Sequence, residues 1–211
     1  MNGAVRMANI GLAQFHARWV ESAAYHEAGH TTAAALQEMP LRERGIHVDS
    51  EGSGISYYWH RLPGDLANLE RDRCERERTI IALCAGPISQ RTFFPHCPEE
   101  DWVSDRAMIC ALLEEMHRPD PAARSAAENN LRNKAEELVS KRWSVIEGLA
   151  SALLAKPETP LPPTEIEQKW SHGKKGIEKW MRGSEVGEFF RRFHIAASIR
   201  REEEERRDEV R

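Results

Sequence analysis

The sequence lacks a CxxC pair and lacks any apolar run that approaches the length of a membrane helix. Such a helix needs about 20 mostly apolar residues, so no membrane span is expected. The four cysteines, Cys74, Cys84, Cys97 and Cys110, have no metal-ligand spacing, which favours reduced thiols over a disulfide framework. Residues 1–19 also lack the apolar core and cleavage site of a secretory signal, and we therefore expect a cytoplasmic protein.

The sequence has no excess of positive charge. It contains 30 lysines and arginines against 34 aspartates and glutamates, for a net charge of -4, and the arginines alternate with acidic residues. No basic block stands alone, so electrostatics gives no support for a nucleic-acid partner. The chain has 211 residues, 40% of them hydrophobic and 30% charged. It is long enough to bury a core, and we expect one globular domain with an appendage or at most two small domains.

Apolar periodicity and helix-breaking residues predict a mainly α-helical fold with a small β-hairpin or sheet. Residues 21–39 are rich in alanine and end before Pro40, which indicates a helix. Residues 45–59 alternate apolar and polar side chains around a turn, which indicates two short strands beside that helix. Further helices are predicted over residues 65–85, interrupted by Gly86-Pro87, over 105–116 with Ser104 as N-cap, and over 121–155.

An HExxH motif, His26-Glu27-Ala28-Gly29-His30, lies within the first predicted helix. Residues i and i+4 share one helix face, about 5–6 Å apart at Cβ, so two imidazoles there can bind one Zn²⁺ ion. The glutamate follows the first histidine, where it can act on a zinc-activated water as general base without binding the metal. The alternative is a chance match on an ordinary helix, although the small alanines around the motif suit a helix buried behind a metal site.

A catalytic zinc site needs a third protein ligand and an open fourth position. The candidates are Glu51 in the turn between the predicted strands, Glu70 in a charged run, and Asp105. Asp105 is favoured because it stands at the head of the apolar face of the helix over 105–116. An acid that simply stabilises the helix N-terminus is the alternative role for this residue.

Two other pairs of residues are weaker indications of a functional site. His96-Cys97 has no partner pair with ligand spacing, so a structural or surface role is expected for the cysteine. His47 and His60 flank the predicted strands, and one of them can help to bind a transition-state oxyanion. A polar surface role is the first expectation for both.

Residues 24–36, AYHEAGHTTAAAL, resemble the zinc helix of the FtsH-type peptidase domain, the protease half of the membrane AAA proteases. Further segments resemble parts of that domain in the same order. GSGISYYW (52–59) is similar to its strand with a Gly-Tyr element, IIALCAGPISQRTFF (80–94) to its Gly-Gly-Arg-Ala-Ala-Glu helix, VSDRAMICALLEEM (103–116) to its Asn-Asp helix, and residues 135–166 to its C-terminal helices. The resemblance covers roughly residues 20–170, and HEAGH is its sharpest element.

The resemblance implies a mainly helical zinc-peptidase domain over residues 21–170, between an N-terminal segment (1–20) and a charged helical C-terminal extension (171–211). It implies that Asp105 is the third zinc ligand beside His26 and His30. It also implies that a polypeptide substrate binds by β-augmentation. The strand residues expected to bind the substrate are Gly54, Ile55, Ser56 and Tyr57.

The sequence departs from the family pattern in three ways. The segment from Ala85 to Gln90 lacks the family's Arg and one of its Glu residues. Ser104 stands where the family has the Asn before the ligand Asp. The sequence contains no AAA ATPase module, glycine-rich phosphate loop or membrane anchor, so we expect an activity that is ATP-independent in itself.

The expected function is zinc-dependent metalloendopeptidase, with Glu27 as the general base in peptide-bond hydrolysis. The alternatives are a non-catalytic peptidase-like binding module and a regulatory partner of a separate ATPase. Glu27 argues against the first alternative, because a structural zinc site needs no base. Residues 171–211 are expected to dock a protein partner if cleavage is dedicated to that partner, and a homo-oligomer is a further expectation.

Overall fold

The computed structural model describes residues 12–58, 69–95, 97, 102–117, 120–160, 177–197 and 199–200. Within them the fold is mainly α-helical, with six helices and a small sheet, as the sequence predicts. None of these helices combines the length and the apolar composition that crossing a bilayer demands. In chain order the elements are α1 (Leu12–Leu36), β1 (Leu41–Asp49), β2 (Gly54–Tyr58), α2 (Leu69–Phe93), α3 (Val103–Met116), α4 (Pro121–Lys141), α5 (Trp143–Leu154), β3 (Thr159–Pro160), β4 (Ile177–Met181), α6 (Gly183–Arg191) and β5 (Ile199–Arg200).

β1 is the central strand of the sheet. One of its edges pairs antiparallel with β2 and the other with β4, while the two-residue strands β3 and β5 pair with β4 and with the start of β1. In this register His47 lies between Ile55 of β2 and Trp180 of β4. Gly45 has a φ of +68°, and a Cβ there would stand 2.0 Å from the backbone oxygen of Met181. Only glycine therefore lets β1 approach the end of β4 at this point.

α1 lies at the centre of the main core, and small side chains let α2 pack closely against it. Six alanines of α1 are buried there, and a Cβ at Gly29 would stand 2.6 Å from the backbone oxygen of Ala85 in α2. A second cluster, which includes Ile80, Leu112 and Leu131, joins α2, α3 and α4. α2 contributes to both clusters and so holds α3 in place relative to α1.

α2 continues through Gly86 and Pro87 to Phe93, so the interruption predicted at Gly86-Pro87 is wrong. Proline in a helix interior removes one hydrogen bond and crowds the preceding turn, at a cost of about 3 kcal/mol. The following turn carries Ser89 and Gln90, which are both buried. The packing of that turn against the rest of the molecule outweighs the local cost.

Two other predicted helix boundaries are wrong. α3 begins at Val103, with Trp102 at the N-cap position and no side-chain cap, so Ser104 is not the N-cap. The helix predicted over 121–155 is two helices, α4 and α5, which are divided at Arg142, where φ is -116°. No proline or glycine marks this division, so the sequence pattern predicted a single helix.

The described part of the C-terminal region contributes to the main core. β4 pairs with β1, and Met181, Val186 and Phe190 are buried with the residues of α1 and α5. The prediction of a charged helical extension is therefore wrong over Ile177–Met181, where a strand forms because its pairing with β1 overrides the helical preference of a charged segment. The predicted boundary at residue 170 and the charged tail over 201–211 lie outside the described residues.

Replacing Phe190 by alanine tests whether this region stabilises the fold. The ring is fully buried, so we expect the free energy of unfolding to fall by about 3–5 kcal/mol. Urea unfolding followed by circular dichroism measures the change. Phe193→Ala is the matched control, because Phe193 is 37% exposed and its loss should have a much smaller effect. Equal effects of the two substitutions would contradict a core role for α6.

Candidate metal centre

Three side chains from two helices converge on one point. His26 and His30 lie one turn apart on α1, and their Nε2 atoms are 2.9 Å apart. The Oδ2 atom of Asp105, in the first turn of α3, is 3.0 Å from Nε2 of His26 and 3.3 Å from Nε2 of His30. This largely buried group can hold a metal ion.

The second nitrogen of each imidazole fixes the protonation of the ring. Nδ1 of His30 lies 2.8 Å from the backbone oxygen of Ala82, which can only accept a hydrogen bond. Nδ1 of His26 lies 2.7 Å from Oε1 of Gln90, and the same atom accepts the indole N–H of Trp102 at 2.8 Å, which identifies it as oxygen. Both Nδ1 atoms therefore donate, and each Nε2 directs its lone pair toward the common point.

Two lone pairs and a carboxylate oxygen, separated by only 2.9 to 3.3 Å, repel each other unless a positive charge lies among them. A metal cation supplies that charge. Metal-binding histidines usually donate their other ring N–H to an oxygen, which fixes the tautomer and the ring orientation. The hydrogen bonds at both Nδ1 atoms match that arrangement, so the three residues fit a metal site.

Without a metal, a proton on Nε2 of His30 can supply the positive charge, and the pKa values of the group reflect this. Burial alone would lower the pKa of His30, but the charge and hydrogen bond of Asp105 outweigh it and raise that pKa to about 9. Burial alone would raise the pKa of Asp105. The charge of His30 and the hydrogen bonds from both histidines outweigh burial and hold that pKa well below its usual range.

α2 forms the wall behind His30. A Cβ at Gly86 would stand 2.4 Å from Nε2 of that imidazole, so only glycine leaves room for the ring. One residue later, Pro87 has no N–H to donate to the backbone oxygen of Leu83. In the same turn the backbone oxygen of Ala82 accepts the N–H of His30. Gly86 therefore leaves room for His30, and Pro87 beside it does not end the helix.

Gln90 connects His26 to the segment that precedes α3. Its Oε1 accepts from His26 and Trp102, while its Nε2 lies 2.9 Å from Sγ of Cys97 and 3.4 Å from Oγ of Ser22. Cys97 is buried, which agrees with a structural role for its thiol. All the hydrogen-bonding atoms of the Gln90 amide thus have partners, and the side chain holds the His26 ring in a fixed orientation.

Glu27 lies beside the three ligands and against β2. Its side chain is buried. A Cβ at Gly54 would stand 2.6 Å from Cγ and 3.0 Å from Oε1 of Glu27. Gly54 therefore has to lack a side chain for the Glu27 carboxylate to keep its place between α1 and this strand.

Tyr58, at the end of β2, is a buried phenol beside the centre. Its ring centroid is 6.5 Å from that of His30. Burial, followed by the negative charges of Asp105 and Glu27, raises the pKa of the phenol. Tyr58 therefore stays protonated and keeps an O–H donor.

The structure brings Asp105 to the two histidines, as predicted, and leaves Glu51 outside that group. Glu51 is exposed in the turn after β1, and the side chain of Glu70 lies outside those that the structure describes. His60 and His96 also lie outside the described residues. Among the candidate acids whose side chains are described, Asp105 alone joins the histidines, and its role as a ligand stays a prediction.

The predicted substrate-binding residues all lie on β2, the edge strand at one end of the described strand order. Gly54 contacts Glu27, Ile55 is 47% exposed, and Ser56 is half-buried. Tyr57 stacks on His47 with ring centroids 5.6 Å apart. His47 is buried, so the polar surface role expected for that histidine is wrong.

Gln90 is the residue that sequence analysis missed at this site. It was missed because the helix was expected to stop before it. In a helix that continues past Pro87, Gln90 is four residues after Gly86 and eight after Ala82, so all three share the face that meets α1. An amide on the helix face that carries Ala82 and Gly86 is the signal that could have identified it.

No protein-family model matches this chain, and no curated protein matches it by sequence. The resemblance to the FtsH-type peptidase domain therefore stays an expectation.

Replacing Gln90 tests its role in orienting His26. Gln90→Leu removes the acceptor for Nδ1–H, and we expect zinc affinity to fall by about 10–100-fold. Gln90→Glu keeps an acceptor oxygen and should retain binding. Competition with a chromophoric chelator measures both affinities. Gln37→Leu, in the turn that follows α1 and outside the group that can hold a metal, is the control; a Gln90→Leu protein with wild-type affinity would contradict the assignment.

The metal-free protein should lose thermal stability as pH rises from 6.5 to about 9. The folded-state pKa of His30 lies above its ordinary value of 6.5, at about 9, so protonated His30 stabilises the fold below this window and loses that effect through it. Asp105→Asn removes the main cause and should abolish the fall. Zinc-saturated protein should also lack it, because the ligand nitrogens must be deprotonated to bind metal. Melting temperatures measured by calorimetry across this range give the answer, and a flat profile for the metal-free wild type would contradict the expectation.

Proposed function

We propose that this chain is a zinc-dependent endopeptidase, with His26, His30 and Asp105 as the metal ligands and Glu27 as the general base. The observation that carries the proposal is the convergence of two Nε2 lone pairs and one carboxylate oxygen. A second buried carboxylate, that of Glu27, stands beside them and is not part of the group. A metal-binding module without catalysis has no use for this second carboxylate.

Zinc is the metal that best suits the donor set. Two imidazoles and one carboxylate are the ligand types of catalytic zinc sites, which keep a further position open, whereas structural zinc sites use four protein ligands. In the part of the chain that the structure describes, three ligands converge. Bound zinc would polarise the peptide carbonyl and lower the pKa of water.

The residues of the chain supply proton transfer and hydrogen bonding. Glu27, fixed against Gly54, accepts a proton from the attacking water and later donates it to the leaving amine. Tyr58 keeps its proton and is the kind of donor that stabilises negative charge developing on a carbonyl oxygen. Gln90 holds His26 in the tautomer that binds metal through Nε2.

A polypeptide is the substrate class that the surroundings favour. β2 is an edge strand of the described sheet, and an extended peptide can add to such an edge through main-chain hydrogen bonds. Gly54 stands on this strand next to Glu27, so a peptide bound along β2 would pass the general base. The resemblance of residues 20–170 to the FtsH-type peptidase domain supports the same activity without an ATPase module.

Metal content and proteolysis, measured on the same samples, test the proposal. Wild type and Glu27→Gln should each bind about one zinc per chain, and Asp105→Ala should bind much less. Casein cleavage should occur in wild type and fall by about 10²–10⁴-fold in Glu27→Gln, the usual effect of a lost general base. Zinc binding without cleavage in every sample would favour the non-catalytic module instead. Absence of zinc after reconstitution would refute the metal site.

A further inference from the structure

A cavity of about 870 Å³ lies between α2, α3, α4 and the start of α5. Its volume is within the usual range of ligand pockets, about 300–1,000 Å³, and far larger than the water-sized voids of a packed interior. Much of its wall is apolar. The main apolar residues are Pro87, Ile88, Trp102, Ile109, Val139 and Trp143.

The cavity borders the candidate metal centre at Asp105. Asp105 lines it, and the same side chain contacts both histidines through Oδ2. Trp102, which anchors Gln90 through its indole N–H, presents its ring in the wall. A group placed in the cavity therefore lies next to the atoms that would bind the metal.

The charged residues of the wall balance one another, with three arginines against three acids, one of which is Asp105. Arg91 places its guanidinium 4.4 Å from the ring centroid of Trp102, and Nε of Arg132 is 3.5 Å from Oε1 of Glu136. Arg106 and Glu128 add one charge of each sign. Because the charges are of both signs and several are engaged with neighbours, the cavity selects by size and apolarity and not by charge.

We propose that this cavity binds a large apolar side chain, aromatic or long aliphatic, of the polypeptide whose adjacent bond is cleaved. The proposal rests on the endopeptidase function above and names its side-chain preference. The side chain enters beside Asp105 and packs against Trp102, Trp143 and the apolar side chains that α2 and α4 contribute to the wall. Small and charged side chains leave the apolar wall uncovered and bind less tightly.

Peptide binding to an inactive form tests the cavity separately from catalysis. Zinc-loaded Glu27→Gln protein is titrated into two fluorescein-labelled octapeptides of glycine and serine, one with a single central phenylalanine and one with alanine there. Fluorescence anisotropy gives both dissociation constants. We expect the phenylalanine peptide to bind at least about tenfold more tightly, because even one methylene in an apolar pocket changes binding by about that factor.

Two substitutions that fill the cavity test whether the preference for the phenylalanine peptide arises there. Ser140→Trp on α4 and Thr92→Trp on α2 each place a large side chain in the wall from an exposed position, and either should reduce the phenylalanine preference to less than about twofold. Ser125→Trp is the matched control, since Ser125 is exposed on α4 and outside the wall, and it should keep the full preference. No preference in the parent protein, no binding of either peptide, or an unchanged preference in both filled variants would overturn the proposal.

Failure of the cavity and failure of the peptidase function give different results. If wild type cleaves casein but the two peptides bind equally, the cavity proposal fails and the endopeptidase stands. If wild type binds the phenylalanine peptide selectively but cleaves nothing, the cavity stands and the protein is a peptide-binding module.

Discussion

The repulsion between the lone pairs of His26 and His30 and the carboxylate oxygen of Asp105 is the constraint around which the described structure is arranged. Three electron-rich atoms lie 2.9 to 3.3 Å apart, which is stable only around positive charge. Hydrogen bonds at both Nδ1 atoms keep the imidazoles from turning away. The fold therefore uses a backbone oxygen and an amide oxygen to hold the two imidazoles in an orientation that they would not adopt alone.

Close packing of α1 on α2 makes that arrangement geometrically feasible. Glycine at positions 29 and 86 lets the two helices approach each other. A side chain at Gly29 would clash with Ala85, and one at Gly86 would clash with His30. Glycine lowers helix stability by about 1 kcal/mol relative to alanine, and Pro87 adds a further local cost. These costs are offset by the burial of the alanine face of α1 and of the turn that follows the proline.

Local sequence signals predicted the mainly helical fold, the small sheet and the approach of His26 to His30, because each depends on spacing within one segment. The choice of Asp105 also drew on the family resemblance. His26 and His30 share a helix face by periodicity alone, and Asp105 stands at the head of an apolar stripe. Tertiary effects account for the errors. The packing of Gln90 and its neighbours carries α2 past Pro87, pairing with β1 makes a strand of Ile177–Met181, and the division at Arg142 has no residue that marks it.

The position of β1 between β2 and β4 has a consequence for folding during synthesis. β2 follows β1 after a four-residue turn, but β4 begins only at Ile177, so one edge of β1 waits for most of the chain to be made. His26, His30 and Asp105 all precede β4 in the chain. The helices around the ligands can therefore assemble on the nascent chain while the second edge of β1 is still uncovered. An uncovered strand edge pairs readily with other chains, which makes the interval before β4 emerges the period of greatest risk of misassembly.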